Sequence, residues 1–438
     1  MNRLTMDFFK RLSNDSKKYG LDAENMKNKV GKSRAIYKGK PVPFSYQPWL
    51  MLQEDKEALN DIGNKMMEIG KKTIGAYYKD QSIRQLFDFP DWIEDLILCE
   101  NPLNGTVPMG RFDICYGSPE QYFFFELNTD GSSAMNEDNE LADIWLSSEI
   151  AEDLKESWQL SKFEMFDSWV ETCVDLFHES GGIGLPKVCI MDFLDSATTE
   201  EFKRYKEAFE AKGCPCIISD IRDLDYIDGK LCDGDFEIDL IYRRMVTFEL
   251  VERPDGAENF LKAYKDGAML TVGPISTQII HNKRFFACLF EPQLRKYFTE
   301  KQCRWIDEHV PYTAVLTPEK YDMATIKKEE WILKPMDKNA SQGVLAGREV
   351  DLHEWQNAID EAIIKEDSLI QKFIEPYKRP YAFWRGGRWI REDYGSVLGM
   401  FFFNEKPAGY YTRLGVDTII SGMTDYYSIP HILGKERK

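Results

Sequence analysis

Arg111, Asp113, Glu126 and Asn128 stand in two strand-like runs, RFDICY and QYFFFELN, separated by Gly117, Ser118, Pro119 and Glu120. Turn residues between two β-rich runs predict a hairpin over residues 111–128. Side chains alternate faces along a strand, so Arg111 and Asp113 share one face, as do Glu126 and Asn128. If Gly117 to Glu120 form the loop, Tyr116 pairs with Gln121, Arg111 lies opposite Glu126, and Asp113 lies opposite Phe124. All four polar side chains then project from one face, with Asp113 and Glu126 as diagonal neighbours about 7–8 Å apart. Two carboxylates and a carboxamide at that spacing suit one or two Mg²⁺ ions, which prefer hard oxygen ligands. Arg111 beside them could hold a phosphate or carboxylate through its fork. The plainer alternative is a solvated face carrying cross-strand ion pairs. The apolar run YFFFE favours the functional reading, because a charge within it needs a partner or a metal.

Lys334 ends the strand-like WIL and precedes Pro335 and the small-residue loop containing Ser341, Gln342 and Gly343. An ammonium at a strand end, beside a loop whose N–H groups can cover an anion, suits phosphate. A solvated lysine before a surface loop is the alternative. Gln371 and Lys372 lie in SLIQKFIEP, a strand that could offer polar groups to an adenine edge or could be an exposed edge strand. Lys283 opens a helix after a Gly-Pro turn, where it reaches phosphate or water.

The elements that position these residues follow from periodicity. The first hundred residues read as helices, with Leu59, Ile62, Met66 and Ile69 at helical spacing. One long helical segment is expected from about Asn139 to His178. PKVCIMDF, TEEFKRYKEAFEAKG, PCIISDI and FEIDLIYRR read as strand, helix, strand and strand, a small open α/β unit with a parallel component. After Pro274 come helices over FFACLFEPQLRKYF, KQCRWIDEHV and DLHEWQNAIDEAIIKE, and a closing antiparallel pair in GSVLGMFFFNEKPAGYYTRLG turned near Asn404.

A chain of 438 residues exceeds one compact core and implies two or three structural units. Its net charge of −18 repels nucleic acid and anionic membranes. A small polyanion still fits a pocket with a few local cations. Nine scattered cysteines with no CxxC pair predict a reducing compartment without disulfides. The start lacks a signal-peptide pattern and no stretch approaches the roughly 20 apolar residues of a membrane span. The expectation is a cytoplasmic protein.

Taken in order, these pieces resemble glutathionylspermidine synthetase and its relatives, the circularly permuted ATP-grasp ligases. The resemblance covers about residues 100–420. It is carried by Arg111-Phe112-Asp113 with Glu126-Leu127-Asn128, then TDGSSAMNE, Asn282-Lys283, Lys334-Pro335, Ser341-Gln342-Gly343 and Gln371. It implies an α+β ATP-grasp fold in permuted order, with an inserted small α/β pre-ATP-grasp domain. Residues 1–180 would form a helical region and a Mg-binding hairpin, 181–275 the inserted domain, and 276–438 the ATP-binding lid and remaining core. It implies ATP and Mg²⁺ as cofactors, and a carboxylate–amine ligase working through an acyl phosphate. Its substrates would be a small, peptide-like acid and an amine. Arg111 would be catalytic, and Asp113, Glu126 and Asn128 would hold metal. Lys283, Lys334, Ser341, Gln342, Gly343, Gln371 and Lys372 would bind ATP, and Arg413 the acidic substrate. TDGSSAMNE looks like the family's NADTPT…E stretch with altered chemistry, and with no room for the amidase domain of the bifunctional members only ligase activity is expected. A nucleotide-binding regulator and a kinase that stops at phosphoryl transfer are the competing functions.

Overall fold

Residues Met109–Ser118 and Gln121–Asn128 form the hairpin, turned by Pro119 and Glu120 alone. The computed structural model describes every residue except Lys38, Thr198, 337–341, Met423 and Lys438. The hairpin register departs from the expected one. Arg111 pairs with Asn128 and Asp113 with Glu126, so the two carboxylates stand directly opposite rather than diagonal. The shift comes from the turn, which takes two residues where four were expected; two bulges, one leaving Gly117 unmatched and one on the other strand leaving Phe125 unmatched, cancel each other. Directly paired residues point to the same side, so the four polar side chains still share a face.

The hairpin forms one flank of a sheet ordered Tyr426–Ile429, Lys406–Gly415, Arg388–Phe403, Met109–Ser118 and Gln121–Asn128. Arg379–Arg385 pairs with the first half of Arg388–Phe403. Asp113 lies opposite Gly399, which lies opposite Tyr411, and one step along Val397 lies opposite Arg413. Arg111, Asp113, Glu126, Asn128, Tyr411 and Arg413 thus project from one side of the sheet. The other side is apolar. Phe112, Ile114, Phe124, Leu127, Leu398, Met400 and Phe402 share a core with Leu59, Ile62, Met66 and Ile69 of the helix Gln53–Lys79. The predicted amphipathic helix is therefore the backing of the functional sheet.

The α/β unit has four parallel strands, ordered Leu270–Val272, Leu240–Arg243, Val188–Asp192 and Cys216–Asp220. From Val188–Asp192 the chain steps outward one way through the helix Thr199–Lys212, then returns to the other side. Such a reversal opens a crevice at the carboxyl ends of the two strands beside it. A second sheet of four strands is antiparallel, ordered Thr313–Val315, Ser368–Lys372, Trp331–Pro335 and Leu345–Ala346.

The single helix expected from Asn139 to His178 is instead three helices and a strand: Met135–Leu146, Glu149–Leu154, Trp158–Lys162 and Phe166–Glu179. Ser148 restarts the chain by accepting the Ala151 N–H as an N-cap, and Trp158–Lys162 pairs with His431–Glu436. Among the described residues, no helix is long and apolar enough to cross a membrane.

Gly399 leaves room for the charged pair on the functional face. A Cβ there would stand 2.8 Å from Arg111 Cδ and 2.9 Å from Asp113 Oδ1. We expect Gly399→Ala to lower stability by about 1–3 kcal/mol through overpacking, measured by urea unfolding. An unchanged midpoint would mean that the two side chains have room to move.

Candidate functional site

The face carrying the charged residues borders two cavities. The larger, of about 610 Å³, is lined by Arg111, Glu126, Asn128, Glu137, Glu201 and Arg413 among others. The smaller, of about 110 Å³, lies between the central sheet and the antiparallel sheet. Cys115, Phe123, Phe125 and Val397 form one wall, and Ile332, Lys334, Gln371 and Phe373 the other. Glu126 borders both.

Three of the sequence-predicted residues meet around a fourth, Asp113, which is 1% exposed. Arg111 donates Nε to Asp113 Oδ1 at 2.7 Å and Nη2 to Oδ2 at 2.9 Å. Asn128 Nδ2 donates to Oδ2 at 3.2 Å, and Arg413 Nη2 stands 3.5 Å from the same oxygen. Arg111 completes its fork by donating Nη1 to the Ser133 carbonyl at 2.8 Å. Burial opposes the Arg111 charge, but Asp113 and Glu126 outweigh it and raise its affinity for the proton. Removing one partner of such a buried pair costs about 3–5 kcal/mol, so Asp113 holds Arg111 as well as offering oxygens.

Glu126 pairs with Lys283, Nζ to Oε1 at 3.1 Å. Burial pushes the Glu126 carboxyl up, but Lys283, Lys334 and Arg111 prevail and pull it down to about 2. Lys334 is buried, with its ammonium 5.3 Å from the Phe125 ring centre. Desolvation lowers it to about 8 against the opposing pull of Glu126. Two cations thus converge on one carboxylate where the cavities meet, which suits a polyphosphate.

Gln371 lines the smaller cavity, yet its Nε2 donates to Thr313 Oγ1 at 2.8 Å. Lys372 also lines it, and its ammonium pairs with Glu330 and lies over the Trp331 ring. Gln342 and Gly343 are exposed and border neither cavity. Ser341 lies outside the described residues.

Glu126 and Asn128 present a carboxylate and, with Nδ2 turned to Asp113, a carboxamide oxygen beside the larger cavity. Among the described residues, no three His, Cys, Asp or Glu side chains form a ready-made metal cage. Mg²⁺ is commonly held by one or two carboxylates plus substrate phosphates, and this donor set fits that mode.

The sequence marks the loop between Asn128 and the helix Met135–Leu146 as a variant of a family stretch but assigns its residues no role. Asp130 forms a fully buried ion pair with Arg243 and accepts the Thr247 N–H at 2.6 Å. Arg244 donates to the Ser132 carbonyl and, at 3.0 Å, to Glu201 Oε2. Glu201 Oε1 accepts the Met135 N–H at 2.8 Å. Gly131 has φ +68, and a Cβ there would stand 2.5 Å from the Arg244 carbonyl oxygen. The signal available was the tandem Arg243-Arg244 closing the apolar strand LIYR, since buried arginines need acidic partners. Glu200, Glu201 and Val246 bring the larger cavity to the carboxyl end of the parallel sheet, at its reversal of strand order.

No protein-family model and no curated protein matches the chain by sequence. By structure it is similar to a glutathione synthetase-like effector from Globodera pallida. That match has a TM-score of 0.61 and 10% identity, and covers 94% of this chain and 96% of the other. The two share their fold. A putative gamma-glutamylcysteine synthetase from Methylobacillus flagellatus matches at a TM-score of 0.41 and 9% identity, over 80% and 82% of the two chains. D-alanyl-alanine synthetase A from Vibrio cholerae matches at 0.27 and 12%, over 48% and 68%. Scores that low carry no argument.

Lys334 gives the site a pH signature. Between about 8 and its ordinary 10.5 the unfolded chain keeps a proton that the folded chain has released. Stability therefore climbs with pH across that window, by up to about 1.4 kcal/mol per unit from this group. Urea unfolding of wild type and Lys334→Met should show this extra slope only in wild type. Parallel pH profiles would contradict the burial of the ammonium.

Proposed function

We propose that the chain is an ATP- and magnesium-dependent carboxylate–amine ligase, similar to glutathionylspermidine synthetase, that forms an amide through an acyl phosphate. One observation carries the reading. A small cavity walled by aromatic and aliphatic side chains and a larger cavity lined by charged residues meet at a carboxylate flanked by two lysines. The smaller cavity suits an adenine between Phe123, Phe125 and Ile332, with Gln371 and the backbone around Lys372 at its polar edge. The larger suits the acid and the amine. The fold shared with a glutathione synthetase-like effector agrees with this choice.

Arg111, Lys283 and Lys334 neutralise phosphoryl charge as the substrate carboxylate attacks the γ-phosphate. Glu126 and Asn128, with Asp113 behind them, would hold Mg²⁺, which would supply charge neutralisation at the phosphates. Arg413, whose Nε is buried without a hydrogen-bond partner, binds the acid. Ser341, Gln342 and Gly343 are assigned a nucleotide-binding role from their order in the chain alone. The layout is a circularly permuted ATP-grasp core of residues 1–180 and 276–438, with the α/β domain of 181–275 inserted.

The test is ADP release by the purified protein with Mg·ATP, pooled amino acids and small peptides, with and without pooled amines. ADP formation that needs both an acid and an amine is expected. Glu126→Gln should lose it at least about 100-fold, in line with loss of a phosphoryl-positioning group. ATP binding without turnover in any pool would contradict the ligase reading.

A further inference from the structure

Glu137, in the first turn of the helix Met135–Leu146, is 7% exposed and lines the larger cavity. Among the described residues it makes no ion pair and no hydrogen bond to another side chain. Every other acid on that wall is engaged: Glu201 by Arg244 and two backbone N–H groups, Asp130 by Arg243, and Glu200 by Lys203. A buried carboxylate met only by its own backbone N–H and open toward a cavity has desolvation against it, so the partner still missing is a ligand group that donates protons. The structure also fixes where that donor stands. Arg111 and Arg413 face Glu137 across the cavity, with Tyr411 and Tyr426 beside it. Those two arginines are the cations that the proposed reaction uses for the phosphoryl group and the acid.

Resting on that ligase reading, we infer that Glu137 is the catalytic base for the amine: it receives the substrate ammonium and takes the proton that must leave before nitrogen can attack. The step balances as follows. The ammonium gives one proton to the Glu137 carboxylate and becomes a neutral amine. Its lone pair forms the C–N bond at the acyl phosphate carbonyl, the C–O bond to phosphorus breaks, and phosphate leaves. The second nitrogen proton goes with the phosphate, and Glu137 later returns its own proton to solvent. Burial, reinforced by the nearby Glu201 charge, pushes the Glu137 carboxyl above the usual carboxylate range. A base matched to neutral pH is better suited to the task than an ordinary carboxylate. Arg111 and Arg413 pull the other way, and the titration of Tyr411 and Tyr426 is pushed up by burial, so neither tyrosine competes as base.

Hydroxylamine separates the roles, because it is neutral near pH 7 and needs no base. Glu137→Gln, and Glu137→Asp as a second variant, are assayed with the acid and amine that best support ADP release, and again with hydroxylamine replacing the amine. The expected result is hydroxamate formation within a few-fold of wild type, with amide formation lost by about 10²–10⁴-fold in Glu137→Gln and partly restored in Glu137→Asp. Amide formation at the wild-type rate would overturn the assignment, and so would equal loss of both products, which marks a structural role. If wild type forms no hydroxamate with any acid, the ligase reading itself fails and the assignment falls with it.

Discussion

A guanidinium and a carboxylate two residues apart on one strand, both shut away from water, constrain everything around them. Arg111 and Asp113 can lie side by side only because Gly399 on the next strand has no side chain. A buried pair of this kind is tolerable only when its remaining donors and acceptors are met. Asn128, Arg413 and the Ser133 carbonyl meet them. Each of these comes from a different part of the chain, so the sheet order, the hairpin register and the 129–137 loop are all tied to one electrostatic need.

That need also decides what the face can bind. With Asp113 committed to Arg111, the carboxylate that borders both cavities is Glu126, and it is held ionised by Lys283 and Lys334. The arrangement concentrates positive charge at the cavity junction in a chain whose net charge is −18. On the far side, Asp130–Arg243 and Glu201–Arg244 fasten the loop to the parallel sheet. The α/β unit is therefore a structural wall of the larger cavity as well as a neighbour of it.

Much of this was legible in the sequence, for physical reasons. Period-two alternation placed Arg111, Asp113, Glu126 and Asn128 on one face, and their register error did not move them off it. The bulges at Phe125 and Gly117 were not legible, because they answer to packing with distant strands and to Tyr377, whose ring a Gly117 Cβ would meet at 2.9 Å. The break at Ser147 and Ser148 was hidden by helix-compatible flanks, and the strand Trp158–Lys162 exists only because His431–Glu436 pairs with it. Glu137 closes the TDGSSAMNE stretch, but its isolation appears only once Arg243 and Arg244 are seen to serve its neighbours. The aromatic wall of the smaller cavity was likewise invisible, since Phe123 and Ile332 are brought together by two separate sheets.

The central claim is that a substrate carboxylate, held by Arg413 and facing the phosphate-binding lysines, attacks ATP. Its most direct test follows oxygen. Amino acids and small peptides carrying ¹⁸O in their carboxyl groups are incubated with the protein, Mg·ATP and the amine pool, and the released phosphate is examined by mass spectrometry. The account predicts one labelled oxygen in the phosphate for each ligation. Phosphate released without label would show that the γ-phosphoryl group goes to water or to another acceptor, and would contradict the acyl-phosphate chemistry assigned to this face.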